Sequence, residues 1–538
     1  MRGRACLVVG DPGRVTPEHP ALLELNHAGW DVHVVTAPSL HELPPDVRVR
    51  ELHGDGPAER SEVVRHTIEA LHFERRFELI VFSGRGGLGA RSVQAKRAGL
   101  AFTDATLAVY LDANSQRDRE ENQRWPSCFA DVETDYLERF AFENADVQWV
   151  PDERLTAFVT RNHWKVRGKG PTPPAPVPEG KGEENEEPTP PAPLPEGRGV
   201  NAREASSDSP EAPGLRGSGS PPFREGLGVG SSSFSPFPSG RGAGGVGSSS
   251  PPLVTVAIAH YNLGRYLPDT LATLAAQTHP NLEVIVIDDG STDAASVEAF
   301  EGLRVKHPTF TFLRQANAGI GATRNRCLEL ARGEYFIPVD ADNLVRPDMI
   351  AKFVTAMQRN PDVSAMTCYF LAFDTEAPDL RPTSFLYAHR PTGGPHALAG
   401  IRNVYGDANA IFRTTALRAI NGYETDRGTS CEDWEVFVKL VHAGHQLGIV
   451  PDHLFYYRHR PGGFSRSTNW FANHQRVLRQ FAQTGTLPPA ESLAVWSALL
   501  GFHQQNEQFR NAVPPRRHRI ADRVYSALNW VRRRFGGG

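Results

Sequence analysis

The chain has few cysteines, no long apolar run and little net charge. Cys6, Cys128, Cys327, Cys368 and Cys431 are its five cysteines, scattered through 538 residues with no C-x-x-C pair. That spacing argues against a disulfide framework or a zinc knuckle and predicts reduced thiols. No apolar run approaches the ~18 residues of a membrane-spanning helix. The basic start, Met1-Arg-Gly-Arg4, leads into an apolar run too brief for a signal peptide, so a cytoplasmic location is expected. The formal net charge of −4 is too small to suggest a nucleic-acid partner. What is present is 39% hydrophobic residues over a length sufficient for about three domains.

Residues 1–168 alternate strand-like and helix-like pieces. Ala5 to Val9, Asp31 to Thr36, Glu78 to Phe82, Leu107 to Leu111 and Val147 to Val150 read as strands. Helical patterns lie between them at Ala21 to Ala28, Ala90 to Ala98 and Val132 to Asn144. Repeated β-α-β predicts a parallel, doubly wound sheet. The loop Ser83-Gly-Arg-Gly-Gly-Leu-Gly89 has the glycines of a phosphate cradle but no Lys-Ser/Thr after it, so it reads as a βα turn.

Residues 169–252 change character. Pro, Gly, Ser and Glu dominate, and "PTPPAPVPEGKG" recurs as "PTPPAPLPEGRG". Such a stretch cannot bury enough apolar surface to offset its ordering entropy, and is predicted to be a disordered linker.

From Leu253 the β-α pattern returns, with strands at Leu253 to Ile258, Leu282 to Ile287, Thr309 to Arg314 and Tyr335 to Val339. The last runs into Asp340-Ala-Asp342. Alternate residues of an extended chain point the same way, so both carboxylates can face one site at a strand end. Close carboxylates repel unless a cation or donors lie between them, and hard oxygen ligands suit Mg2+ or Mn2+ beside a diphosphate.

Six motifs in order carry a resemblance. They are Tyr261-Asn262, Gln277-Thr278, Val286-Ile-Asp-Asp-Gly-Ser-Thr-Asp293, Asn317-Ala-Gly319 with Arg324-Asn325, Asp340-Ala-Asp342, and Glu432-Asp433. Over roughly 210 residues the segment resembles the family 2 glycosyltransferases of GT-A fold. Residues 1–168 resemble, more diffusely, the N-terminal lobe of family 4-type GT-B glycosyltransferases, through "LLELNHAGWDVHVVTA", "ARSVQAKRAGL" and "YLERFAFENADVQWVPDERL". The expected layout is therefore two Rossmann-like α/β domains. A GT-B-lobe-like domain (1–168) and a GT-A catalytic domain (253–467) are joined by the linker and followed by a helical extension (468–538).

The resemblance implies an inverting transferase that moves a sugar from a nucleotide diphospho-sugar, UDP by default, to a glycan, lipid-linked or protein acceptor. Tyr261 would lie along the base and Asp289 accept from it. Asp340 would contact the ribose, and Asp342 would ligate Mn2+ or Mg2+, with Asn343 the weaker ligand beside it. Asp433 would be the general base, with Glu432 its neighbour. Asp288 is open between ligand contact and capping its own turn, and Arg324 between meeting the nucleotide and bridging to an acid. Asp407 is a candidate acceptor or diphosphate contact, as are Arg458, His459 and Arg460 of Tyr457-Arg-His-Arg460, which reads as a basic loop after the last strand. The processive polymerases' Q/R-x-x-R-W motif is absent from the sequence, so few sugars are added per acceptor. The basic, amphipathic end of the tail, with Ile520, Val524, Leu528 and Val531 at helical spacing, suits either an anionic membrane surface or packing on the catalytic domain. Two other readings compete. A nucleotidyltransferase would want a Gly-rich, basic loop where Ala259-His-Tyr-Asn262 stands, and a non-catalytic carbohydrate-binding scaffold would not need Asp342 and Asp433.

Overall fold

The computed structural model describes residues 3–9, 19–36, 56–167, 250–374, 380–460, 463 and 468–484. The predicted linker, apart from residues 250–252, and the basic end of the tail lie outside the described residues.

The N-terminal half runs β1 (Arg4–Val9), α1 (Pro20–His27), β2 (Asp31–Thr36), α2 (Pro57–Arg75), β3 (Leu79–Ser83), α3 (Ala90–Arg97), β4 (Thr106–Tyr110), α4 (Ser115–Glu121), α5 (Phe129–Asn144), β5 (Val147–Trp149) and α6 (Glu153–Arg161). Its strands form one parallel sheet in the order β2-β1-β3-β4-β5. Apolar runs without polar alternation are what such a sheet requires, because helices cover both faces. Cys6, Val8, Ile80 and Phe82 enter the core on one face, and Ala5, Leu7, Val9, Leu79 and Val81 the core on the other. Helix α2 was not expected from the sequence. Its nine buried residues include Glu62, Arg65 and His72, which blur the apolar stripe that marks a helix.

The C-terminal half runs β6 (Val254–His260), α7 (Leu267–Ala275), β7 (Leu282–Asp288), α8 (Ala294–Lys306), β8 (Thr311–Arg314), α9 (Ile320–Leu330), β9 (Tyr335–Pro338), β10 (Leu344–Val345), α10 (Met349–Arg359), β11 (Val363–Phe373), β12 (Tyr387–His389), β13 (Ile411–Arg413), α11 (Thr414–Ala419), α12 (Glu432–His442), β14 (Gln446–Arg458) and α13 (Trp470–Thr484). The mixed sheet has the order β10-β14-β11-β13-β9-β6-β7-β8, with β12 paired to β11. Strands β9, β6, β7 and β8 are parallel neighbours, as a doubly wound core demands. The side chains alternate between two cores: Val254, Val256 and Ile258 fill one, and Ala257, Ile285 and Ile287 the other. Each buried Val or Ile among them contributes about 1.5–3 kcal/mol. Tyr457 and Arg458, expected in a loop after the last strand, are the final residues of β14.

The described residues of both halves belong to one compact unit. Ala98 and Val132 of the N-terminal half sit in the two cores of the C-terminal sheet. The fully buried Arg91 donates to the Pro391 carbonyl at 3.0 Å, and Asn360 to the Arg97 carbonyl at 2.9 Å. Tyr369 of β11 donates to Glu62 of α2 at 3.1 Å. Although burial raises it, the His66 hydrogen bond and the charges of Arg65 and Arg91 hold the Glu62 carboxyl well below its ordinary range. At Gly394 a Cβ would stand 2.5 Å from the Tyr136 ring, so only glycine permits that approach.

Candidate active site

Register brings the predicted residues together. His260 pairs with Asp288 and Ala257 with Pro338, so β6, β7 and β9 end at one edge of the sheet. Open α/β sheets bind ligands at the carboxyl ends of their strands. Two cavities meet there. One, of ≈ 190 Å³, is walled by Asp340, Asp342, Asp407, Glu432 and Asp433. The other, of ≈ 700 Å³, is walled by Tyr261, Asp289, Asn317, Thr323 and Arg427. Ala259, Leu263, Ile320 and Arg460 line both, so the two are adjacent and share a wall. Neither wall includes a described residue of the N-terminal half.

The two carboxylates of the D-x-D turn have different partners. Asp340 Oδ1 accepts from Arg324 at 2.8 Å, and Asp340 Oδ2 from Asn343 at 3.2 Å. Asp342 Oδ2 accepts from Arg460 Nε at 2.5 Å. Asn343 is fully buried, and its Oδ1 accepts the Arg458 backbone N–H at 3.0 Å. Its amide is committed to holding the turn. Arg458 is buried too, donating to the Asp342 carbonyl at 2.9 Å and bridging to Asp269 at 3.1 Å. It anchors the D-x-D turn to the end of β14. His459 lines the smaller cavity and ties its backbone N–H to the Phe373 carbonyl at 2.7 Å.

Arg324, on α9, is 2% exposed and bridges two elements, meeting Glu432 at 2.6 Å and Asp340 at 2.8 Å. Of its two expected roles, bridging to acids is the one this arrangement occupies. Desolvation, offset in part by Arg324 and reinforced by Asp407, Asp342 and Glu432, pushes Asp340 up to about 7. Desolvation and the charges of Glu432 and Asp407 push Asp433 well above its ordinary value. Asp433 lies in the first turn of α12, whose N-cap, Cys431, has φ 71. Left-handed backbone at a non-glycine residue is strained, and such strain clusters at functional sites. Asp407 accepts the Asn409 amide at 2.6 Å and faces the same cavity.

At the β7 exit the adjacent aspartates divide their work. Asp288 is fully buried, with Oδ1 accepting from Ser291 at 2.5 Å and Oδ2 2.9 Å from Arg314. It caps the turn and lines neither cavity, so of its two expected roles capping is the one this arrangement occupies. Asp289 lines the larger cavity and accepts the Ala318 and Gly319 N–H groups, each at 2.8 Å. Gly290 has φ +73, and a Cβ there would stand 2.7 Å from Asn317 N.

Residues 255–420 match the family model described as Glycosyl transferase family 2. That segment is a glycosyl transferase family 2 domain. It holds both strand-end turns and the D-x-D, whereas Glu432, Asp433 and Arg460 lie beyond the matched residues. The chain is 34% identical over 118 residues to an uncharacterized glycosyltransferase of Haemophilus influenzae, covering 22% of this chain and 36% of that protein. It is 35% identical over 99 residues to chondroitin synthase of Escherichia coli, covering 18% of this chain and 14% of that one. The chain therefore spans well under half of either relative. Among solved structures, a mannosyltransferase of Pyrobaculum calidifontis in complex with GDP-Man and Mn2+ aligns at TM-score 0.36 and 22% identity, over 52% of this chain and 81% of that one.

Around the family 2 domain the structure adds residues that sequence motifs did not indicate. Arg427 reaches Asn317 across the mouth of the larger cavity. Helix α13 clamps the approach to Asp433: Arg476 pairs with the fully buried Glu435 of α12 and donates to the Glu424 carbonyl at 2.8 Å, and Asn473 accepts the Ser430 N–H at 2.9 Å. These are long-range pairings with no local pattern. The Arg and Glu of α13 and α12 could have been noticed only as charges on otherwise amphipathic helices.

The glycine loop of the N-terminal half is already filled. The fully buried Glu138 accepts from Gly86 N at 2.6 Å, Ser115 N at 2.8 Å, Ser115 Oγ at 2.6 Å and Asn114 Nδ2 at 2.7 Å. Asp112 accepts the Gly84 N–H at 3.1 Å. The amides a phosphate would need are thus bound to carboxylates of the chain itself.

Proposed function

We propose that the protein is an inverting glycosyltransferase that moves a sugar from a nucleotide diphospho-sugar to an acceptor hydroxyl of a glycan or glycoconjugate. The observation that supports this best is the junction of the two cavities. The cavity lined by the half-exposed Tyr261, suited to stacking a base, adjoins the one lined by Asp342 and Asp433. UDP is the expected nucleotide from the resemblance, and the N-terminal half is read as a GT-B-like lobe that supports the catalytic sheet.

A divalent cation fits the site. Asp342 already holds a cationic group, Asp342 Oδ1 is not taken by Arg460, and among the described residues no three His, Cys, Asp or Glu side chains are placed to hold a metal ion together. A cation here would rest on one carboxylate, with diphosphate oxygens and water completing its shell, as suits Mg2+ or Mn2+. Bound there, it would neutralise charge on the departing diphosphate.

The chain's own residues would supply the rest. Asp433 would take the acceptor hydroxyl proton while that oxygen forms its bond to the anomeric carbon and the bond to the diphosphate breaks, inverting the centre. Burial and the charges of Glu432 and Asp407 raise its proton affinity, which makes it a stronger base than an ordinary carboxylate. Glu432, held by Arg324, would position Asp433, and Asp289 would shape the base pocket through the 317–319 turn. The test is nucleoside diphosphate release from a panel of donor sugars with candidate acceptors, with Mn2+, Mg2+ or chelator. One donor should turn over, and Asp433→Asn should abolish turnover while retaining nucleotide binding. Full activity in that variant would overturn the assignment.

A further inference from the structure

We infer that Arg460 is the resident counter-ion of Asp342, and that a divalent cation enters this site by exchange with it. The inference rests on the reading of Asp342 as metal ligand and goes beyond it. The two D-x-D carboxylates are each neutralised by an arginine, but the arginines are held differently. Arg324 is 2% exposed and shared between Asp340 and Glu432, with its guanidinium over the Tyr423 ring. It is a fixed part of the wall. Arg460 follows the end of β14, lines both cavities, and its side chain is 21% exposed. Besides its pairing with Asp342, its guanidinium lies over the face of Tyr266.

The turn does not depend on Arg460 for its shape. Arg458, Asn343 and Thr270 pin it through the Asp342 carbonyl, the Arg458 N–H and the Asn343 carbonyl. Moving Arg460 therefore leaves the carboxylate in place. A metal ion bound at Asp342 Oδ1 would stand only a few ångströms from the guanidinium that sits 2.5 Å from Oδ2, so two cations would compete for one carboxylate. The pair is mostly enclosed, with Asp342 13% exposed, so this repulsion is only weakly screened. An incoming diphosphate changes the balance. It brings two or more negative charges to the junction that Arg460 already lines, and offers the planar guanidinium a bidentate partner. Metal and nucleotide should therefore bind with positive coupling, and Arg460 is the element through which they couple. In this account Arg460 is a positioning residue in the free protein and a diphosphate contact in the loaded one.

The test is a Mn2+ titration of the full chain, read as loss of the free-ion electron paramagnetic resonance signal, with and without uridine diphosphate. Wild type, Arg460→Gln, Arg460→Lys and Asp342→Asn are compared, with unfolding midpoints recorded for each. Without nucleotide, Arg460→Gln should bind Mn2+ about tenfold more tightly than wild type, and Arg460→Lys should stay near wild type. Adding uridine diphosphate should tighten Mn2+ binding strongly in wild type and much less in Arg460→Gln. Equal or weaker Mn2+ binding by folded Arg460→Gln, with Asp342→Asn still abolishing it, would overturn the exchange but leave the metal site standing. Unchanged Mn2+ binding by Asp342→Asn, or no binding by wild type even with uridine diphosphate, would remove the metal reading and this inference with it.

Discussion

Arg324 and Glu432, 108 residues apart in the chain, meet at 2.6 Å behind the candidate base Asp433. Arg324→Ala would leave Glu432 and Asp340 enclosed without their cation. Removing one partner of a buried pair typically costs about 3–5 kcal/mol. The expected outcome is a comparable drop in unfolding free energy with loss of turnover. Arg324→Lys should recover part of the stability, since one ammonium cannot span both acids in the same geometry. A denaturant titration that leaves Arg324→Ala as stable as wild type would refute the bridge.

Helix α13 acts on the same residues from behind. Arg476 is 3% exposed and its partner Glu435 is fully buried. Arg476→Ala should destabilise the protein by about 3–5 kcal/mol. Because Arg476 also holds the Glu424 carbonyl, turnover number should fall while Michaelis constants for donor change little. Steady-state kinetics at a temperature where the variant stays folded separate these effects.

Asp289 offers a third check. Each of its oxygens accepts a backbone N–H of the 317–319 turn. Asp289→Asn presents an NH2 to one of these donors, leaving an N–H unpaired at a cost of about 1–3 kcal/mol. The donor's Michaelis constant should rise about tenfold or more, with a smaller change in turnover number. Isothermal titration with uridine diphosphate gives an independent reading, and unchanged affinity would count against the turn's role.

Acid should destabilise the fold through partly buried, neutral histidines. Burial pushes His389, His396 and His453 each down to about 4 from an ordinary 6.5. Above pH 6.5 both folded and unfolded forms are neutral and nothing is lost. As the pH falls from 6.5 toward 4, the unfolded chain takes up protons that the folded one refuses, and stability drops. Each group contributes at most about 3 kcal/mol by this route. The unfolding midpoint should fall across that window, and His453→Gln should show a shallower fall. An identical slope in the variant would remove His453 from the account.

Much of the site was legible in the sequence because its chemistry sits within a residue or two of a strand end. Tyr261, Asp289, Asp340 and Asp342 follow apolar runs directly, and strand register alone brings them together. Asp288 was ambiguous for the same reason. Two adjacent aspartates at one exit look alike until the turn shows that one caps Ser291 and the other faces the cavity. Arg458 was misplaced because a Tyr-Tyr-Arg-His-Arg run carries no strand alternation, and only pairing with β11 extends β14 to it. Helix α2 and the contact of Arg91 with Pro391, 300 residues away, had no local signal. They exist because the N-terminal half packs against the C-terminal sheet, a relation between distant segments.

Glu138 makes the N-terminal glycine loop its own receptor's occupant. Four donors converge on one carboxylate, and burial pushes that carboxyl up to about 7. Glycines in a sequence thus report how many amides a loop can present, and are silent on whether a seat is vacant. Shortening Glu138 to alanine would unmake the tenant and keep the room. The protein would then hold a donor-lined hole the size of an acetate ion, open to water or to a small anion.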